Sequence, residues 1–283
     1  MSPYLEILRP HQWIKNAFLF LPLFFGKKMT DGTGLVATLI LFVGFTLIAG
    51  SVYIFNDLLD AENDKKHPRK KFRPIASGKI SSFNAIRWFV CVAGIGWGTL
   101  LLFLPTPEIL GLVLFYFVMN LAYSFALKKI ELVDVMLIAA GFVIRIFLGG
   151  VAGQVDISEW IVVMTFLLAV FLAIAKRRGD YLALSNQEKR LEQLELYNSL
   201  LNISAAVVIV AYIIYSLAPE TTERFGKQTY LTSLFIVLGV FRYLQLVYKG
   251  KETESPTLVL LKDVFLQTVI VLWIATFYAF AYR

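Results

Sequence analysis

Long, unbroken apolar runs govern what this chain can fold into. About nine follow one another, roughly at 14–26, 35–59, 83–104, 108–126, 132–151, 159–175, 199–217, 230–248 and 257–281, with short polar punctuation between them. A helix needs about 17–25 apolar residues to cross a bilayer. The runs are continuously apolar rather than alternating, which selects helices over barrel strands. The first is the least regular, because Pro22 interrupts it and it ends at Gly26. Composition agrees: 58% of the 283 residues are hydrophobic and 17% are charged, with a mean hydropathy of +0.69. So few charges cannot cover so much apolar surface in water. The expected fold class is therefore all-α, a polytopic membrane protein of about nine transmembrane helices, read as one domain over 1–283.

The 27 Lys and Arg against 20 Asp and Glu give a net charge of +7. On a membrane protein that excess marks the cytoplasmic face or anionic ligands rather than nucleic acid. With the N-terminus inside, the inner segments carry 19 Lys/Arg and the outer ones five. Positive charge concentrates on the cytoplasmic side, so the expected location is the plasma (inner) membrane, multi-pass, with the N-terminus cytoplasmic. The start is polar and broken by Pro3 and Pro10, so the first apolar run is expected to stay as an anchor. Cys91 is the single cysteine and His11 and His67 the only histidines, which excludes an intrachain disulfide and a Cys- or His-built metal centre.

The inner face is not uniformly basic. After the second run the chain reads SVYIFNDLLDAENDKKHPRKKFRPIASGKIS. Asp57, Asp60 and Asp64 are spaced by three and four residues, and Asn56, Asp60 and Asp64 form an i, i+4, i+8 row. If the helix continues past the membrane surface, these groups share a face. Like charges at such spacings repel unless something neutralises them. Hard oxygen donors without His or Cys suit Mg2+, or less often Mn2+. Asn56, Asp57, Asp60 and Asp64 are thus the candidate metal ligands, and the three aspartates the candidate catalytic carboxylates. Lys65, Lys66, Arg69, Lys70, Lys71, Arg73 and Lys79 follow closely. An acidic row beside a basic cluster suits a metal–diphosphate, with carboxylates on the cation and cations on the remaining phosphate oxygens.

Other polar residues fall on the same side. Lys15 and Asn16 end the N-terminal segment just as the first run starts, Lys128 and Lys129 follow the fourth, and Lys176, Arg177, Arg178 and Asp180 follow the sixth. Each also serves as a topology signal. Arg145 differs, because it lies within GFVIRIFLGG, where a lone charge is expensive and normally faces a polar cavity. Gly141, Gly149, Gly150 and Gly153 around it suit close helix packing. Tyr53 shares the face of Asn56 but equally suits an interfacial aromatic belt.

With these residues in view, the chain resembles the UbiA superfamily of intramembrane prenyltransferases, on the strength of NDLLDAEND and nine helices. It is more closely similar to the bacterial decaprenyl-phosphate phosphoribosyltransferases. That likeness runs over roughly 8–180, through RPHQWIKN, NDLLDAENDKKHPRKKFRPIASG, YSFALKKIELVDVMLIAAGFVIR and the KRR run at 176–178. Aromatic prenyltransferases of the superfamily usually carry a second Asp-rich motif after the sixth helix. Here that loop reads AKRRGDYLALSNQEKR, with Asp180 alone.

The resemblance implies a UbiA-like bundle with a central cavity open to the cytoplasmic side. It also implies transfer of 5-phosphoribosyl from phosphoribosyl pyrophosphate (PRPP) to a polyprenyl phosphate of decaprenyl type, with release of pyrophosphate. In actinobacteria that product leads to the arabinose donor for the cell wall. Carried over residue by residue, Lys15, Tyr53, Asn56, Asp57, Asp60, Asp64, Lys70, Lys129 and Arg145 become ligands of the donor or its magnesium. Lys70 against Lys71, and Lys129 against Lys128, remain open. Asn16, Arg73, Lys128 and the 176–178 cations complete the candidate substrate-binding set.

A phosphate monoester is already anionic near neutral pH, so such an acceptor needs no general base, in keeping with two histidines. The alternative is a UbiA-type enzyme moving a prenyl group from a prenyl diphosphate to an aromatic or other acceptor. A flippase or transporter for an anionic lipid is a third reading, but those place charged sites near the midplane and often show repeats. The oligomeric state, a homo-oligomer included, is not fixed by the sequence.

Overall fold

The computed structural model describes residues 2–67, 70–182, 187–249 and 256–282, with no side-chain description for 187–190. Arg69, part of the basic cluster above, lies outside the described residues. Every described regular element is helical. The chain divides into two compact units, Met1–Ile157 and Ser158–Arg283. Eight described helices are long and apolar enough to cross a membrane. The first unit holds α1 (Gly32–Lys65), α2 (Ser82–Phe103), α3 (Pro107–Phe125) and α4 (Val133–Gly153). The second holds α5 (Glu159–Leu182), α6 (Gln187–Leu217), α7 (Ser233–Tyr248) and α8 (Val264–Ala281).

The first expected span departs from the pattern. Residues 14–26 do not form an α-helix of spanning length; Pro10–Phe20 is a 3₁₀ helix that passes into a short α-helix, Leu21–Phe25. Proline explains the geometry. Pro10 and Pro22 each stand at the start of one of these pieces, where the missing N–H breaks no helical bond. A 3₁₀ helix rises about 2.0 Å per residue against 1.5 Å in an α-helix, so Pro10–Phe25 reaches about 30 Å, the thickness of a bilayer core. Such a long 3₁₀ run needs support, and this one packs on α4 and α1. There the glycines matter. A Cβ at Gly149 would overlap the backbone carbonyl of Leu19, so only glycine lets the two backbones meet.

In the first unit, α1 and α4 are the inner helices: 56% and 61% of their apolar windows are buried, against 17% for α2. Leu41, Phe45 and Ile48 of α1, Leu100 of α2, Val113 and Tyr116 of α3, and Ile144 and Leu148 of α4 form the main apolar core, joined by Leu19. A second cluster of Ile7, Leu8, Ile54, Ile75, Ile80, Ala85 and Val92 ties the N-terminus and the α1–α2 connection to the helix ends. Leu102, Phe103 and Phe115 point outward, as lipid-facing residues do.

Helix ends carry local signals. Asp31 accepts a hydrogen bond from the Thr33 N–H at the start of α1, and Ser81 one from Asn84 N–H at the start of α2. At about 1.5 Å per residue, the 34 residues of α1 make it about 50 Å long, far more than a bilayer core. Its last turns therefore project past the apolar layer, and they carry the acidic row.

A substitution follows. Gly149→Ala should overpack the Leu19 contact and cost about 1–3 kcal/mol of stability in detergent unfolding, whereas Gly94→Ala, inside α2 where an added Cβ meets nothing within 4 Å, should raise it by up to about 1 kcal/mol.

Candidate active site

The acidic row lies on one helix, but its charges are met by three separate segments. Asp57, 2% exposed, takes Arg9 and Arg73 on the same oxygen: Arg9 Nη2 donates to Oδ1, and Arg73 Nη1 donates to it at 3.1 Å. The same Arg73 Nη1 reaches Asp64 Oδ2 at 2.7 Å. Arg73 follows the 3₁₀ turn Lys70–Phe72 in the α1–α2 connection. Asp60 turns elsewhere. Lys128 Nζ donates to its two oxygens at 2.6 and 2.8 Å and to Asn56 Oδ1 at 3.3 Å. Asn56 Nδ2 donates back to Asp60 Oδ2 at 3.1 Å. Lys128 sits in the 3₁₀ turn Leu127–Lys129 between α3 and α4.

The row thus resolves into two pairs, Asp57 with Asp64 and Asn56 with Asp60. Among the described residues no three His, Cys, Asp or Glu side chains gather around one point. Each pair nevertheless converges on one cationic atom, Arg73 Nη1 or Lys128 Nζ. Those two positions are where a divalent cation would find two hard oxygen donors. Magnesium commonly takes one or two carboxylates and completes its shell with water and phosphate, so the donor set fits it.

Other candidates fall into place unevenly. The Arg9 guanidinium lies over the Tyr53 ring, 5.0 Å from its centroid, which brings Tyr53 to the Asp57 end. Lys15 is half-buried on the 3₁₀ segment, one residue before the buried Asn16. Lys70 is half-buried, and its backbone N–H donates to His67 Nδ1 at 3.3 Å. Lys129 is exposed, whereas Lys128 reaches the acidic row.

Arg145 lies 12 residues into α4, about 18 Å from its start. It was expected to face a polar cavity; it is 4% exposed and packed. Its Nε donates to Asn16 Oδ1 at 2.9 Å, Nη1 to the Gly141 carbonyl at 2.6 Å and Nη2 to the Tyr116 hydroxyl at 3.2 Å. The rings of Phe45, Tyr116 and Phe142 surround it at 5.1, 5.1 and 5.4 Å. Asn16 in turn donates to Thr46 Oγ1 at 2.9 Å. Arg145 and Asn16 therefore join the 3₁₀ segment, α1, α3 and α4 in the membrane interior. No carboxylate pairs with Arg145 among the described residues.

In the second unit the three cations after the sixth run differ. Lys176 is half-buried, and Arg177 pairs with Asp180 at 3.6 Å. Arg178 is buried: it donates to Asn198 Oδ1 at 2.6 Å and the Val247 carbonyl at 3.0 Å, and stacks on Tyr248 at 4.8 Å. It fastens α5 to α6 and α7. Sequence reasoning did not single out Arg9 or Tyr116. Arg9 had a signal, a cation beside Pro10 on the same side as the acidic row. Tyr116, inside an apolar run, had none.

Known proteins bear on this geometry. Residues 19–269 match the model of the UbiA prenyltransferase family. An uncharacterised protein of Sinorhizobium fredii is 34% identical over 93% of this chain, which spans 53% of that protein's length. The decaprenyl-phosphate phosphoribosyltransferase of Mycolicibacterium smegmatis is 29% identical over 100% of this chain and 93% of its own. A UbiA homolog from Archaeoglobus fulgidus, solved bound to DMAPP and Mg2+, has the same fold, with a TM-score of 0.73 at 20% identity over 99% of each chain.

The interior cluster gives a stability test. Arg145→Met would remove the donors to Asn16 Oδ1 and the Tyr116 hydroxyl in the interior, at a cost of about 2–4 kcal/mol. Arg145→Lys should recover only part of it, because an ammonium cannot reproduce the planar fork. Unfolding in detergent, followed by tryptophan fluorescence, reads both.

Proposed function

Since the chain belongs to the UbiA prenyltransferase family and is an intramembrane transferase, we propose that it moves 5-phosphoribosyl from PRPP to a polyprenyl phosphate of decaprenyl type. The observation that carries this reading is the near full-length likeness to a decaprenyl-phosphate phosphoribosyltransferase. The sequence AKRRGDYLALSNQEKR supports it, since it holds Asp180 as its one aspartate, and Asp180, in the last turn of α5, pairs with Arg177.

In the reaction, the bond between C1 of the ribose and the pyrophosphate oxygen breaks. A phosphate oxygen of the lipid forms the new bond to C1, pyrophosphate leaves, and attack from the opposite face inverts the anomeric centre. The transition state resembles an oxocarbenium ion, as in other glycosyl transfers. Magnesium, when bound, supplies charge neutralisation for the departing pyrophosphate. Asp57, Asp60, Asp64 and Asn56 would hold it. Arg73 and Lys128 sit where they can take remaining phosphate oxygens, and charge-assisted bonds of this kind are the strong ones. The resemblance assigns Lys15, Lys70 and Tyr53 to the donor as well. The acceptor brings its own negative charge, so the chain need only orient it. Its tail belongs against the apolar helix faces, and the acidic row at the end of α1 puts a water-soluble donor beside a lipid anion. That end is the cytoplasmic one on the charge asymmetry of the sequence.

Purified protein in detergent, given PRPP, decaprenyl phosphate and Mg2+, should release pyrophosphate and form a polyprenyl phosphoryl-5-phosphoribose detectable by mass spectrometry. Asp60→Ala or chelation of the metal should lower the rate by about 10²-fold or more. Prenylation of an aromatic acceptor from a prenyl diphosphate, with PRPP inert, would overturn the reading.

A further inference from the structure

Two guanidinium groups meet one oxygen of Asp57. Arg9 and Arg73 both donate to its Oδ1, and Arg73 is shared with Asp64, so two arginines balance two carboxylates. Arg9 is the one held by Asp57 alone, and it arrives from 48 residues away. Its backbone is in the left-handed region, with φ 51° and ψ 65°, immediately before Pro10. A residue preceding proline is ordinarily extended, and a non-glycine residue with positive φ is uncommon. Strain of this kind persists where the surroundings hold it and collects at functional sites. The side chain is held on one side by the Tyr53 ring and on the other by Asp57. The side chain retains 21% exposure.

The geometry points to Arg9 as an internal counter-ion of the diphosphate site: it occupies Asp57 until a divalent cation arrives, and then turns to a diphosphate oxygen. The metal and the guanidinium compete for Oδ1 of Asp57. A divalent cation between Asp57 and Asp64 takes the position of Arg73 Nη1 and meets Arg9 on the same Asp57 oxygen, so Arg9 must also give way, and a diphosphate arriving with the metal offers its planar guanidinium two oxygens for a bidentate pair. The charge count balances at each stage. The empty site pairs carboxylate with arginine; the loaded site pairs carboxylate with metal and arginine with phosphate. The Tyr53 ring keeps the guanidinium close throughout, so the exchange is a short swing rather than a search. The inference rests on the site reading above only in that a diphosphate binds there, and it holds for PRPP and for a prenyl diphosphate alike.

The sign of the effect distinguishes this role from a structural one. Removing a merely structural arginine weakens everything bound nearby. Removing a competitor strengthens the metal and weakens the diphosphate. Mn2+ binding to the purified protein, followed by loss of the free-ion electron paramagnetic resonance signal, should tighten about three- to tenfold in Arg9→Gln. Inorganic pyrophosphate binding at saturating Mg2+, measured by calorimetry, should weaken about tenfold in the same variant. Mn2+ binding that is unchanged or weaker, or pyrophosphate binding that is unchanged, overturns the proposal. If Arg9→Gln does not fold, the wild-type protein carries the test. A crystal structure with Mn2+ and pyrophosphate should show Arg9 on a phosphate oxygen, and a guanidinium still on Asp57 overturns it. Neither measurement uses PRPP or a lipid, so the outcome is independent of which transfer reaction the enzyme performs.

Discussion

Three carboxylates on the last turns of a membrane helix cannot stand alone, and much of the first unit's design answers that constraint. Like charges three and four residues apart repel along a helix, and partial burial raises the penalty. The cations that answer come from far along the chain: Arg9 lies 48 residues before Asp57, and Lys128 lies 68 residues after Asp60. Arg73 closes the near side across the α1–α2 connection. Each pairing pins a different segment to the end of α1. The site and the packing of this end are therefore one arrangement, since the segments that neutralise the row are the ones that fix the helix termini.

Inside the membrane the chain meets the opposite problem with a different solution. Arg145 has no carboxylate among the described residues; neutral dipoles and aromatic faces surround it instead. Carbonyl, amide and phenol oxygens satisfy its N–H groups, and the ring quadrupoles favour its charge. The Gly141 carbonyl receives Nη1, and Asn16 passes the contact on to Thr46 on α1. The result ties the irregular 3₁₀ segment to three regular helices, where apolar packing alone would specify depth and rotation poorly.

The helices and the acidic row were legible because both rest on strong local signals. Apolar runs set the order of the helices but not all of their ends, since α6 starts at Gln187 rather than 199 and α5 runs to Leu182 rather than 175; the Asp57, Asp60, Asp64 spacing placed the three on one side of a helix that does continue to Lys65. The first span was less legible. Its residues are apolar enough, but proline at 10 and 22 converts an expected α-helix into a 3₁₀ run, a change of rise that hydropathy does not register. The partners of the acids were legible only in kind. A basic cluster announces that cations will meet the carboxylates, but which ones depends on tertiary geometry: Lys128 rather than Lys129, and an unheralded Arg9. The 176–178 run shows the same limit. Residue type suggested one shared task, yet Arg177 pairs with Asp180 while Arg178 packs between helices.

The two kinds of buried charge also differ in how readily they can change partner. A half-buried ion pair gains little net energy, because desolvation offsets most of the attraction. Arg9 and Arg73 keep 21% and 25% of their side-chain surface exposed while the Asp57 and Asp64 carboxyls they meet are almost fully covered, and Lys128 and its partner Asp60 are both partly exposed. The cations can therefore leave toward the open side without exposing the acids' apolar surroundings. Arg145, enclosed by rings and backbone, has no such exit. A transferase that must receive a highly charged donor and then release a charged product needs exchangeable partners where the donor sits and fixed ones beneath it. The chain places its pliable charges at the end of α1 and its rigid charge in the interior.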